Sequence, residues 1–553
     1  MFKKTLPPRM DMFKNLSNHL PDRKASILDD PASWHNVFLR EVTQRVDESV
    51  FEPLFNEGGR PNAPLRVLLA MMVLKEGNGW SDEQLFDNCR FNLRCMAALG
   101  LRHIDDDVPV ESTYYEFRRR LAAHGAEHGE DLVGEAFRSA ARDRIRAYNI
   151  KGEKIRTDSK LIQSNIAKAG RLELVLETVR VSTARLDLSL LSGALDKADI
   201  ELLGSLRSKT ASDVAYPLDN GQKKGMLERL GAIIRELLPH CGKDGVLARL
   251  YREQYREVPQ GGEGEGGQRG PEAPAGTAVP EPREAKEIPA DSLQSVHDPE
   301  AAFRRKGHGK GEKKVSGYHA NLTETFGGEN PFELLTDVRT VAADICEDAF
   351  LLPAIGGSDG VPDTGGTGGK TVGHVTTDGG YDSRANREAM AAGGSPHWNM
   401  AAHKGAPLRY ELALGADGVL SAYCKKTGAH CKVSLTKAGR HVIHHGDGTK
   451  KYMAGEQVAD YVRLQDHLAS QDPGDIDIRP NVEPTVHQVF HRLLKRDKVQ
   501  YRGKFKCNMY VLSRAYWTNF RRILKNGAEQ ALVQLICMLW PWEGRRGGPR
   551  TDF

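Results

Sequence analysis

Three carboxylates stand where chemistry could be done. Asp158 closes a short β-type run in KIRTDSK, Asp378 closes another in VGHVTTDGGYDS, and Glu483 follows in RPNVEPTVHQVF. A carboxylate just past a strand points out of a sheet edge, where divalent metal is often held for phosphoryl transfer; hard cations prefer oxygen ligands and neutralise the charge that develops in line. The separations, 220 and 105 residues, are too long for a local metal loop. If the three act together, a fold must bring them together. Taken singly, an Asp after a strand is a turn or cap residue more often than a catalyst. Asp382, in the same DGGYDS stretch, competes with Asp378. The Gly379–Gly380 pair lets the backbone turn at once after Asp378, which leaves Asp382 to cap a helix from Ser383. Pro484 disfavours helical angles at Glu483, so the glutamate is expected at a helix entrance, a position that also suits a plain acidic residue facing the helix dipole.

Between Glu483 and Lys525 eleven Lys and Arg face two acids, a local charge of +9, with aromatics interleaved. Phosphate contacts along a nucleic-acid backbone fit this pattern, with Arg492, Lys495, Arg496, Arg502, Lys504 and Lys506 as the candidates. Tyr516, Trp517 and Phe520 are expected in the core instead. His487, His491 and Lys495 follow Glu483 at four-residue steps on one helical face. A second basic run, Arg304, Arg305, Lys306, Lys310, Lys313 and Lys314, is rich in Gly and His and is expected to be mobile until it meets DNA. Cys424, His430, Cys431, His441, His444 and His445 could ligate zinc, but their spacing is not that of paired knuckles, and unligated residues are the better account. The loop ending Gly369-Lys370-Thr371 imitates a phosphate loop and fails as one: Thr364 stands where glycine is needed, and a strand follows where a helix should.

The elements that must position these groups change period along the chain. Helical spacing with tight turns runs from Asn62: Pro64 opens LRVLLAMMVLK, Ser81 with Gln84 forms a capping box, and Ser112–Thr113 is expected to cap STYYEFRRRL. This predicts a helical domain over residues 1–145, either a helix-turn-helix-like DNA-binding module or a plain helical bundle with a solvated Arg face. Residues 146–540 are predicted as an α/β catalytic domain carrying a helical insertion (170–256), a disordered Gly/Pro linker (257–313) and a β-rich insertion (408–447). The 553 residues can bury two or three cores, and a formal charge of +4 leaves polyanion binding to local clusters. Eight scattered cysteines and an N-terminus without a signal-peptide core predict free thiols in a reducing cytoplasm. The longest apolar run, Val67 to Leu74, is far below the ~20 residues of a membrane span.

The order of elements and the residues around the carboxylates resemble the DDE transposases of bacterial insertion sequences, the group with an InsH-like N-terminal domain and a ribonuclease-H-like core. The similarity lies in FEPLFNEGGRPNAPLRVLLAMMVLKEGNGWSDEQL and ESTYYEFRRRL, then RTDSKLIQSN, HDPEAAFRRKGHGKGEKKVSGYHANLTET, TTDGGYDSRANREAM, and VEPTVHQVFHRL with YRGKFKCNMYVLSRAYWTNFRRI. The resemblance implies a mixed-sheet ribonuclease-H-like fold, with Asp158, Asp378 and Glu483 as catalytic and metal residues for two Mg²⁺ or Mn²⁺ ions. It further implies binding of terminal inverted repeats in double-stranded DNA, hydrolysis to free 3′-hydroxyl ends, and joining to target DNA by transesterification. A homo-oligomer would be needed to pair two ends, in a bacterial cytoplasm and on the nucleoid when active. In this family a basic residue sits about two turns past the glutamate; here the seven-residue step falls on Phe490, with Arg492 and Lys495 beyond. Two rivals stay open: a metal-dependent nuclease that cuts without joining, and an inactive DNA-binding relic.

Overall fold

The computed structural model describes residues 1–5, 14–242, 245–259, 278–307, 312–356, 372–391, 395–400, 409–415, 419–470 and 483–539. The helix Leu65–Asn78 is apolar on nearly every face and is accordingly buried along its length, ending at Gly79 in the left-handed region (φ 72°). The capping box at Ser81 opens Asp82–Phe91, as its sequence predicts. Glu111–His128 is capped two residues earlier than predicted: Val110 is its N-cap, and Ser112 and Thr113 lie inside the first turn.

These helices do not stand apart from the rest. Phe38 meets Phe520 edge-on (5.2 Å between ring centres) and Phe137 meets Tyr516 (4.9 Å), so the N-terminal helices, the sheet and the long helix Lys504–Leu539 share one apolar core. Gly77 lies under the Trp517 ring with no room for a Cβ.

The sheet at the centre is built from β1 (Lys154–Gln163), β4 (Ala302–Lys306), β5 (Lys313–Thr325), β6 (Leu335–Ala342), β7 (His374–Thr377) and β8 (His397–Met400), while β2 (Tyr255–Pro259) and β3 (Ala278–Pro282) form a separate ribbon. β1 is central. It pairs antiparallel with β5 from Ile155↔Thr325 to Gln163↔Gly317, and parallel with β7, which pairs parallel with β8. β6 runs antiparallel to the later part of β5, and β4 to its beginning. At Gly317 the two backbones come so close that a Cβ would stand 2.6 Å from Ser164 N and closer still to Ile162 O. Gly317→Ala should therefore lower stability by about 1–3 kcal/mol through backbone displacement at the end of β1, read in a denaturant melt.

The helical insertion has its own core: Leu176 and Val179 of Arg171–Thr183 pack with Leu230, Ile233 and Ile234 of Asn220–Cys241 and Leu250 of Val246–Gln254. The stretch 257–313, expected to be a structureless linker, departs from that expectation at both ends. The end of β2, all of β3 and all of β4 fall within it, and residues 260–277 and 308–311 lie outside the described residues. The physical reason is that Tyr255, buried against the insertion, anchors the ribbon, after which backbone pairing requires little apolar side chain. The β-rich insertion is a five-stranded antiparallel meander, β9 (Tyr410–Leu414), β10 (Leu420–Cys424), β11 (His430–Leu435), β12 (His441–His444) and β13 (Lys450–Met453). Its β9 edge is covered by the helix Gly455–Ala469, whose Gln465 amide bonds both Leu412 N (2.9 Å) and Leu412 O (3.1 Å). Among the described residues no helix is long and apolar enough to cross a membrane.

Candidate active site

The parallel pairing of β1 with β7 aligns Lys154 with His374, Ile155 with Val375 and Arg156 with Thr376. The same register sets Asp158 level with Asp378, on backbones roughly 5 Å apart. Asp378 is buried and caps the turn Gly379–Tyr381, accepting from Gly380 N at 2.8 Å. The Asp158 carboxylate accepts from its neighbour, Ser159 N, at 2.7 Å. Burial pushes the Asp158 carboxyl up to about 6, and the Asp378 and Glu347 carboxylates push the same way against the Ser159 N–H and Lys306.

Glu347 is a member of this neighbourhood that no local pattern marks. It is buried at the start of a single turn, Glu347–Phe350, and pairs with Lys306 Nζ at 2.8 Å. Its carboxylate lies so close over Gly380 that any side chain there would meet it. Lys306, at the end of β4, thus pairs with Glu347 and draws the Asp158 carboxyl down. The signal that could have found Glu347 is three-dimensional: it comes between β6 and β7 and reaches the aspartates only through the turn after β7.

Glu483 begins the helix Glu483–Phe490 and is exposed, as its place before Pro484 predicts. Two residues on, Thr485 is buried, and its hydroxyl donates to the Glu324 carboxylate (3.0 and 2.9 Å to the two oxygens). Glu324, fully buried on β5, also accepts from Arg156 (2.6 Å) and Arg522 (2.8 Å), and Arg522 donates to Thr485 Oγ1 at 2.6 Å. Arg156 lies two residues before Asp158 and so on the same face of β1. The structure therefore sets the two aspartates side by side and anchors the entrance of the Glu483 helix over the face that carries Asp158. Among the described residues no three His, Cys, Asp or Glu side chains stand close enough to hold one metal ion, so the three predicted carboxylates do not close into a single cage here.

Arg492, Lys495, Arg496, Arg502, Lys504 and Lys506 are all exposed. Arg496 and Asp497 both adopt left-handed backbone (φ 65° and 55°), a strain of order 1–3 kcal/mol each. Asp497 holds this turn against the sheet by pairing with Lys160 of β1 (3.1 Å) and Lys313 of β5 (3.6 Å).

Two of the eleven cations counted in the sequence are not surface charges. Arg514 is buried and donates to the carbonyls of Gln488 (2.7 Å), Val489 (3.0 Å), Glu76 (3.2 Å) and Gly77 (3.2 Å), closing the ends of two helices. Arg522 belongs to Glu324. Tyr516 and Phe520 are core, and Trp517 packs against it, as expected. The second basic run is not free either: Arg304, Arg305 and Lys306 lie on β4 and Lys313 and Lys314 on β5, while Lys310 lies outside the described residues. Asp382 does not cap the next helix. Ser383 does, accepting from Asn386 N at 3.2 Å, and Asp382 pairs with Arg387 instead. Cys424, His430, Cys431, His441, His444 and His445 are spread over the meander, and the Gly-rich loop at 357–371 lies outside the described residues.

The donor set at Asp158 and Asp378 fits a hard divalent cation. Both are oxygen ligands, the two carboxylates are level and largely buried, and burial first, then the neighbouring Asp378 and Glu347 carboxylates, raises the Asp158 carboxyl. No curated protein and no solved structure matches the chain. Residues 26–120, the helices that pack against Lys504–Leu539, match the family model of a transposase domain (DUF772). The N-terminal part is thus similar to a transposase domain, which supports a transposase-family protein and, with it, a DNA-processing enzyme.

Proposed function

We propose that this chain is a DDE transposase that binds the inverted-repeat ends of its own element, cuts DNA at them and joins the 3′-hydroxyl ends to target DNA. The observation that carries the proposal is the level placement of Asp158 and Asp378 at neighbouring strands of one mixed sheet. The order β6-β5-β1-β7-β8, in which β5 alone runs against the others, supports a ribonuclease-H-like core. Asp158 and Asp378 would hold Mg²⁺ or Mn²⁺, and Glu483, exposed at the entrance of its helix, would complete the site. Bound ions would supply charge neutralisation at the phosphate and an activated oxygen nucleophile. The chain's own residues do the rest. Arg492, Lys495, Arg496, Arg502, Lys504 and Lys506 hold the DNA backbone by its phosphates, and the Asp497 contacts to Lys160 and Lys313 fix the Arg496 turn beside β1. Pairing of two ends would take a second copy of the chain.

The test uses labelled DNA carrying the element's ends, intact or pre-cut to expose the 3′-hydroxyl, with Mg²⁺. Joined product from pre-cut ends is expected, and Asp378→Asn should lower cutting and joining together by about a thousandfold, a barrier change of about 4 kcal/mol. Cutting without joining would make the chain a nuclease. An Asp378→Asn protein as active as the parent would remove the assigned site.

A further inference from the structure

Just past the end of β1 a cleft of about 500 Å³ opens between the helical insertion and the segment entering Lys504–Leu539. That volume suits a sugar-phosphate unit. Two acids line it, and both are already engaged. Glu173 accepts from Gly170 N (2.6 Å) and the Ser212 hydroxyl (2.7 Å); Glu177 pairs with Arg180 (2.6 Å) and His297 (2.8 Å). Four lining cations form no ion pair within 4 Å among the described residues, and the carboxylates nearest two of them, Asp187 by Arg207 and Asp213 by Lys209, stand outside the cleft lining. Arg207 donates to the carbonyls of Leu186 and Thr183, Arg502 donates to Asn165 O (2.7 Å), and Lys168 and Lys209 are exposed. Carbonyl contacts orient a guanidinium and leave its charge uncancelled, so the concavity gathers positive potential between low-dielectric walls.

The rim is also set in advance. Fully buried Asp298 accepts from Ser164 at the end of β1, from Tyr318 of β5 and from Gly503 N (2.9 Å), which fixes Arg502 beside the cleft. Arg502 is therefore shared by the cleft and by the exposed cations that continue through Lys504 and Lys506.

We infer that this cleft binds the phosphodiester backbone of DNA, with Lys168 and Lys209 contacting phosphates, so that the helical insertion extends the path along which DNA lies. The inference rests on the transposase reading and deepens it. It assigns a ligand to the insertion, which otherwise has a core of its own and no role.

The test is the salt dependence of binding by the full chain to a fluorescent duplex of arbitrary sequence, followed by anisotropy. Each phosphate contact contributes a slope of roughly 0.9 in log K against log salt, so Lys168→Ala with Lys209→Ala should reduce the slope by about two and weaken binding most at low salt. The control is Lys197→Ala with Lys224→Ala, two exposed lysines of the same insertion that pair along their own helices. An unchanged slope in the cleft variant, or an equal fall in the control, overturns the inference. So does competition by dAMP or inorganic phosphate that depends on Lys168 and Lys209 while the duplex slope does not, since the cleft would then take a free phosphate. Loss of slope on Arg502→Ala, Lys504→Ala and Lys506→Ala with none in the cleft variant sinks this inference alone. No slope change in either set sinks the transposase reading as well.

Discussion

Asp158→Asn should slow DNA cutting severely and, at the same time, make the protein more stable at neutral pH. The first effect follows from removing one of two level carboxylates, and a fall of about a thousandfold is expected, as for Asp378. The second follows from the pKa. The Asp158 carboxyl is raised from 3.8 to about 6, first by burial and then by the Asp378 and Glu347 carboxylates, so the folded protein binds this proton more tightly than the unfolded chain does. That contribution favours the fold below about pH 4 and is lost as pH rises through about 6. At pH 7.5 the parent carries the cost of an ionised, poorly matched carboxylate, about 1–3 kcal/mol from the size of the shift. Asparagine has the same shape and carries no such cost. Melting curves of parent and variant should therefore differ at pH 7.5, with the variant higher, and converge at pH 4. Added Mg²⁺ should raise the parent's melting temperature and leave the variant's alone. A variant that melts lower than the parent at both pH values would mean that Asp158 is an ordinary structural residue.

How much of this could be read from the sequence depends on whether the deciding contact is local. Asp378 was legible because it directly follows the short run His374–Thr377, and Ser81 with Gln84 because a capping box is complete within four residues; Asp158, expected to close its run, instead lies within β1, because pairing with β5 carries that strand on to Gln163. The level register of the aspartates was not legible: it is set by pairing between strands 220 residues apart. The basic count after Glu483 was right in composition and partly wrong in place. Nothing in the local pattern marks Arg514 as the residue that closes two helix ends, or Arg522 as the partner of a glutamate on β5. β4 was hidden for a different reason. Its residues, AFRRK, are too polar to read as a strand, and they form one because β5 extends beyond β6 and offers an unpaired edge. Glu347 has no sequence signal, since only the turn at Gly380 brings it to Asp378.

The buried glutamate on β5 leads to the largest expected loss of stability. The Glu324 carboxylate is fully buried, the Arg156 side chain is 8 % exposed and that of Arg522 16 %, and Thr485 completes the set. Glu324→Gln keeps the volume and removes the charge, leaving two largely desolvated guanidinium groups without the carboxylate that contacts both, and with only Glu333 near them. Breaking such a set by removing one partner costs about 3–5 kcal/mol, whereas an apolar replacement of the whole set can be neutral. Thr485→Val removes only the hydroxyl and should cost about 1–3 kcal/mol, with Thr485→Ser recovering most of it. The same contacts fix where the Glu483 helix begins, so cutting should fall in Thr485→Val by more than its stability loss explains, at a temperature where the variant is still fully folded. If the Val variant cuts as well as the parent under those conditions, Glu483 does not depend on Thr485 for its position. If Glu324→Gln melts within about 1 kcal/mol of the parent, the glutamate is not the counter-ion of both arginines and the anchoring of the helix must be sought elsewhere.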